Sequence, residues 1–224
     1  MDRSRLGIII PALNEEDSIG SVVRKCRDHG MLIVVDDGSS DCTAEIARNE
    51  GAEVVRHDIN RGYDAALDSG FRKAAELGCD FVVTIDADGQ HNPELIGKCF
   101  ALLDNGADVV IGHRDKRQRL AEHCFAFLTK ILYGVSDPLC GLKGYRMSVY
   151  HALGHFDSYG SVGTELALFA VRNGFRLKQV PINVRERIGS PRFGRRLYAN
   201  CKIFRAMLLS LVKVRPGRSE KNIL

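Results

Sequence analysis

Short runs of aliphatic and β-branched residues recur along this chain, each followed by a longer stretch with helical spacing. Strand-like runs lie at 6–10 (LGIII), 31–35 (MLIVV), 52–55 (AEVV), 80–85 (DFVVTI) and 108–111 (DVVI), and helical patterns fill 15–28, 41–50, 62–78 and 93–105. Asn14, Ser40 and Asn92 stand where helices should start, and Gly30, Gly51, Gly78 and Gly106 where they should stop. Alternation of this kind predicts βαβ units: an α/β fold with a mostly parallel central sheet and helices on both faces.

The 224 residues suffice for one sizeable core, and no linker or repeat divides them, so one domain is expected. A net charge of +4 is too mild to imply a nucleic-acid partner, although 113–119 and 185–218 are strongly basic. Seven scattered cysteines form no C-x-x-C pair, which suits reduced thiols in a cytosolic protein. The N-terminus reads as a first strand, not a signal peptide. No apolar stretch reaches the ~18–20 residues that would cross a bilayer, so the chain is not expected to span one.

In open α/β sheets, ligands bind beyond the carboxyl ends of the strands. Polar clusters follow four of those ends here: PALNEE (11–16), DDGSSD (36–41), RHDINRG (56–62) and DADGQ (86–90). Asp86 and Asp88, two apart, could cap the next helix or hold one hard cation. Mg²⁺ or Mn²⁺ needs only one or two carboxylates when phosphate oxygens and water fill its other positions. Asp36 and Asp37 could accept hydrogen bonds from a base or ribose, whereas Ser40 and Asp41 suit a helix N-cap. In NRGYDAALDSGF (60–71), the small residues Ala65, Ala66 and Gly70 suit close helix-to-sheet packing. The lack of G-x-G-x-x-G disfavours a dinucleotide fold.

These motifs, with DVVIGHR (108–114), DPLCGLKGYR (137–146), TELALFAVRNGFRLKQVPI (164–182) and RERIGSPRFG (185–194), stand in an order that resembles glycosyltransferase family 2, the inverting GT-A enzymes. The similarity is greatest to the group that includes dolichol-phosphate mannose synthase and transfers hexoses to polyprenyl phosphate, and it covers residues 6–196. The resemblance implies a GT-A catalytic domain over 1–196, with an amphipathic helix and tail at 197–224. It implies that Pro11, Asn14 and Glu15 contact the nucleotide and that Asp37 meets its base or ribose. Asp86 and Asp88, with Gln90, are implied as ligands of Mg²⁺ or Mn²⁺ and the diphosphate. Arg114 is implied on the sugar or phosphate, Asp137 on the acceptor side, and Arg187 and Arg192 over the diphosphate. The late motif departs from the family's usual R-x-x-G-x-S-K, so the position of its last basic residue is open.

A hydroxyl acceptor would require a general base, for which Asp137 is the candidate. A lipid phosphate would not, being largely dianionic at neutral pH, its second pKa lying at about 6. Its approach to another anion calls for cations, and 112–119 supplies Arg114, Lys116, Arg117 and Arg119. Two basic-flanked amphipathic helices, 118–133 and 195–215, suit either packing on the sheet or lying in a membrane interface. The expectation is a peripheral protein at the cytoplasmic face, acting alone or with a membrane-protein partner. His91, beside Gln90, is the one histidine expected near the site.

Overall fold

The computed structural model describes residues 5–115, 119–183 and 196–213. The elements run β1 (Leu6–Ala12), α1 (Glu16–Cys26), β2 (Met31–Asp36), α2 (Thr43–Asn49), β3 (Glu53–Arg56), α3 (Tyr63–Glu76), β4 (Phe81–Thr84), α4 (Glu94–Asp104), β5 (Val109–Arg114), α5 (Leu120–Tyr133), β6 (Lys143–Arg146), α6 (Met147–Leu153), α7 (Glu165–Arg172), β7 (Leu177–Ile182) and α8 (Arg196–Lys213).

The strands form one sheet in the order β3-β2-β1-β4-β6-β5-β7. All neighbours pair parallel except β6, which runs antiparallel to both β4 and β5. Chain order reverses at the β1/β4 boundary, where open sheets of this kind leave a crevice for a ligand. Because β6 is reversed, its start, not its end, reaches that same edge. The loop leading into β6 therefore joins the carboxyl ends of β1, β2, β4 and β5.

Alternation along β1 divides the core. Ile8 and Ile10 face one side with Ile19, Val23, Ile96 and Phe100. Ile9 faces the other with Leu67, Phe71, Phe125 and Leu166. Thus α1, α2 and α4 cover one face, while α3 and α5–α8 cover the other, so helices do lie on both faces. A Cβ on Gly70 would stand 2.4 Å from Ile9 Cγ2, which confirms close packing of α3 on the sheet.

Pro11 is compatible with a central strand because β1 pairs with β4 only as far as Ile9, while Pro11 sits opposite Val35 of β2. Its missing N–H thus falls beyond the β4 ladder. The helix starts differ from expectation in part. Asn14 adopts a left-handed φ of 50°, and its side chain turns to Ser40 instead of capping α1. Asp41, not Ser40, serves α2 by accepting the Thr43 N–H at 3.0 Å. Asn92 accepts the Glu94 N–H at 3.3 Å at the start of α4, as expected. No helix among the described residues is long and apolar enough to cross a membrane.

Candidate active site

The first wall of the site joins β1 to β2. The Asn14 N–H donates to Ser39 Oγ at 2.8 Å, and Asn14 Oδ1 accepts from the Ser40 N–H at 2.8 Å. Glu15 is buried; its N–H donates to Thr43 Oγ1 at 2.8 Å, and its carboxylate accepts from Ser18 Oγ at 3.0 Å. The PALNEE and DDGSSD segments are therefore one hydrogen-bonded unit. Asp36 is fully buried and paired with Arg56, Nε to Oδ2 at 3.1 Å, which assigns it to holding β2 and β3 together.

Asp37 is also buried, and its carboxylate gathers the third polar cluster. It accepts from His57 Nδ1 at 2.7 Å, Arg61 N–H at 2.9 Å and Gly62 N–H at 2.8 Å. Gly62, with φ 94° and ψ 163°, occupies a conformation open to glycine alone and directs its N–H back at Asp37.

Asp86 and Asp88 lie just beyond β4. Asp86 Oδ2 accepts from His91 Nε2 at 3.1 Å, and Tyr63 Oη reaches Oδ1 at 3.4 Å. His91, buried with Nδ1 unpaired among the described residues, fixes Asp86 from the loop before α4. A Cβ on Gly141 would stand 2.0 Å from Asp86 Oδ2, so the carboxylate rests where any other residue would put a side chain. Burial pushes the Asp86 carboxyl upward, but His91, Lys143 and Arg114 outweigh it and the net shift is downward. Asp88 is buried, and its Oδ1 accepts the Gln90 N–H at 3.0 Å. That turn is what sets Gln90 beside the pair.

Farther along the same sheet edge, Arg114 ends β5 and grips Asp137. Its Nε donates to Oδ2 at 2.7 Å, its Nη2 to Oδ1 at 3.0 Å, and its backbone N–H to Oδ2 at 3.1 Å. Asp137 is 1% exposed. Burial alone would depress the guanidinium, yet Asp137 reverses this and raises it further. Lys143, at the start of β6, is buried with Nζ donating to Cys140 O at 2.7 Å. Desolvation lowers its pKa although Cys140, Asp137 and Asp86 all favour its charge. Thr84 ties this loop to β4, its Oγ1 donating to Gly141 O at 2.7 Å.

The described residues thus bring Pro11, Asn14, Glu15, Asp37, Asp86, Asp88, Gln90, Arg114 and Asp137 to one edge of the sheet. Arg187 and Arg192 lie outside the described residues, as do Lys116 and Arg117. Arg119 is engaged by Glu122 at 2.9 Å. Sequence reasoning gave no role to Tyr63, Gly141 or Lys143. The last two stand inside DPLCGLKGYR, but their position against Asp86 depends on the antiparallel course of β6, which no local pattern announces.

The model of "Glycosyl transferase family 2" matches residues 7–154, about two thirds of the chain. The chain belongs to glycosyltransferase family 2. It is 30% identical over 242 residues to the UDP-N-acetylglucosamine–dolichyl-phosphate N-acetylglucosaminyltransferase of Methanococcus voltae, covering 92% of this chain and 96% of that protein. It is 33% identical to the dolichyl-phosphate hexose transferase of Haloferax volcanii, covering 82% and 84%. Among solved structures it is similar to glucosyl-3-phosphoglycerate synthase of Mycobacterium tuberculosis in complex with Mn²⁺ and UDP-glucose. That match has a TM-score of 0.72 and 28% identity, and it covers 92% of this chain and 78% of that one. The fold is that of GT-A glycosyltransferases, and the chain is a glycosyltransferase whose relatives include polyprenyl-phosphate sugar transferases.

The residues present fit a divalent cation. Among the described residues no cage of three or more His, Cys, Asp or Glu exists, but a diphosphate-bound Mg²⁺ or Mn²⁺ does not need one. Two hard carboxylates at the sheet edge, one held ionised by its neighbours, are the appropriate donors.

Proposed function

We propose that this protein transfers a hexose, with inversion, from a GDP- or UDP-linked donor to the phosphate of a polyprenyl phosphate. The observation that carries this reading is the grip of Arg114 on Asp137. A general base must reach the acceptor's hydroxyl, whereas Asp137 is 1% exposed and turns both oxygens to Arg114. A phosphate monoester brings its own anionic nucleophile and needs no base.

In this reading Asp37 and the Asn14–Ser40 unit shape the nucleotide pocket. Asp86 and Asp88 would hold Mg²⁺ or Mn²⁺, which when bound would supply positive charge to the diphosphate leaving group. His91, Tyr63 and Gly141 keep Asp86 in place for that task. Arg114 and Lys143 place positive charge where two anions must meet, and Asp137 keeps Arg114 oriented. The lipid phosphate oxygen bonds to the anomeric carbon as the bond from that carbon to the diphosphate breaks, and nucleoside diphosphate departs.

A lipid acceptor demands a surface that meets the membrane. Helices α5 and α8 pack together, and α5 exposes Leu120, Phe127, Ile131 and Leu132 while α8 exposes Leu208, Leu211 and Val212. Apolar exposure beside Lys130 and Lys213 supports peripheral attachment to the cytoplasmic leaflet. The test is a panel of labelled nucleotide sugars incubated with membrane lipids and Mg²⁺ or Mn²⁺. A lipid-extractable labelled sugar is expected with at least one donor, and its absence with every donor would refute the proposal.

A further inference from the structure

We propose that a relay running from the exposed Arg72 through buried Ser69 and His57 to buried Asp37 makes the donor site selective for a base with a single N–H, uracil, over guanine. The inference deepens the donor-site reading above and rests on Asp37 being the carboxylate that meets the base.

A carboxylate offers about four acceptor positions, two on each oxygen. Asp37 Oδ1 takes His57 Nδ1–H at 2.7 Å and Arg61 N–H at 2.9 Å, which fills it. Among the described residues Oδ2 takes the Gly62 N–H alone, at 2.8 Å, which leaves it one position. Guanine presents two adjacent donors, a ring N–H and an amine, that a carboxylate reads through both oxygens. Uracil presents one N–H between two carbonyls. The single remaining position on Oδ2 matches uracil, while guanine would turn its second donor toward a saturated oxygen.

The relay keeps Oδ1 saturated. His57 Nε2 lies 2.9 Å from Ser69 Oγ, and Arg72 Nη2 donates to that oxygen at 3.3 Å, leaving the serine proton for the imidazole. That network puts a proton on Nδ1, facing Asp37; a doubly protonated ring would present the same donor. The two middle members of the relay are fixed by the fold. The His57 N–H donates to Asp36 O at 2.9 Å across β2 and β3, and Ser69 precedes Gly70, where α3 packs hardest on Ile9. The order Asp–His–Ser is also that of a nucleophilic triad. Ser69 is 8% exposed on the inner side of α3, however, so the relay positions and does not attack.

The test is calorimetric binding of UDP and of GDP, each with Mn²⁺, to the wild type, His57→Asn, His57→Leu and Ser69→Ala. The wild type is expected to bind UDP at least ~10-fold tighter than GDP, the scale at which one unmet donor discriminates. His57→Asn, whose amide nitrogen replaces Nδ1, should keep the preference. His57→Leu, shown folded by its thermal melt, should narrow it to within ~3-fold by the same scale. Should His57→Leu not fold, Ser69→Ala, which unpins the imidazole, should narrow the preference partially. Equal or tighter binding of GDP by the wild type would overturn the proposal, as would an unchanged ratio in every folded variant. Binding of neither diphosphate would overturn the donor-site reading beneath it as well.

Discussion

Arg114 holds Asp137 by a two-pronged side-chain contact, 2.7 and 3.0 Å, reinforced by its own backbone N–H at 3.1 Å. The pair spans from the end of β5 to the loop before β6, so under the proposed function it would shape the acceptor side as well as supply charge. Lys cannot reproduce a planar fork. Arg114→Lys and Asp137→Asn should each lower turnover by about 10²-fold, the scale of one lost preorganised charge contact. The double variant should lose little more than either, because the two act as a unit. Breaking a buried pair from one side should also cost roughly 3 kcal/mol of stability. Steady-state kinetics and denaturant melts on the three variants check this, and additive losses would show two independent roles.

Gly141 tests how Asp86 is placed. A methyl group there would stand 2.0 Å from Asp86 Oδ2, so the carboxylate must move. Gly141→Ala should weaken Mn²⁺·nucleoside diphosphate binding by at least ~10-fold, as expected when a positioned charge is lost. Gly97→Ala, within α4 and 3.9 Å from its nearest neighbour, serves as the control. It should stabilise the fold by about 0.5–1 kcal/mol and leave binding unchanged. Calorimetry on both variants separates a local clash from a general effect of losing glycine.

Asp64 supplies a pH dependence. Burial, then the Asp157 charge, pushes its carboxyl up to about 6 from 3.8, even though the Gly163 and Val162 N–H groups favour the anion. In the window between those values the folded state keeps a proton that the unfolded state has released. This contribution to stability therefore falls as pH rises from ~4 to ~6 and is flat above. The cost above that window is of order 3 kcal/mol. Asp64→Asn, which carries no charge, should gain in melting temperature relative to wild type across that window. A difference that stays constant from pH 4 to 7 would contradict the assignment.

The apolar strip of α5 and α8 predicts a separation of membrane binding from folding. Phe127 and Leu208 are 69% and 60% exposed, so replacing both with Glu removes little buried contact. Sedimentation with anionic phospholipid vesicles should fall several-fold, while stability in a denaturant melt changes by no more than exposed substitutions normally cause, about 0.5 kcal/mol each. Unchanged sedimentation would place the membrane contact elsewhere.

Much of this architecture was legible because parallel βαβ units have a strong local signature. All five expected strands and the helices from α1 to α4 formed within a few residues of their expected bounds, and the amphipathic patterns became α5 and α8. What escaped depends on tertiary course. β6 is the four-residue KGYR, too short to show a period, and its reversal depends on pairing with β4 and β5. Gly141 and Lys143 gain their positions from that reversal. His57 stands in RHDINRG and Ser69 in NRGYDAALDSGF, but neither has a role of its own there, and the chain Ser69–His57–Asp37 forms only because β2 and β3 end side by side beneath α3. Asn14 illustrates the opposite case. It lies with the other polar clusters at the sheet edge, but the left-handed backbone turned its side chain to Ser40 and not to α1.

The acceptor is the centre of the account, since a phosphate nucleophile explains why Asp137 can be committed to Arg114. The most direct measurement offers the wild-type protein, its nucleotide sugar and Mn²⁺ two acceptors of identical chain length, a polyprenyl monophosphate and the corresponding polyprenol. Sugar transfer to the monophosphate and none to the alcohol is the expected result. Transfer to the alcohol at a comparable rate would contradict it and restore Asp137 as a base.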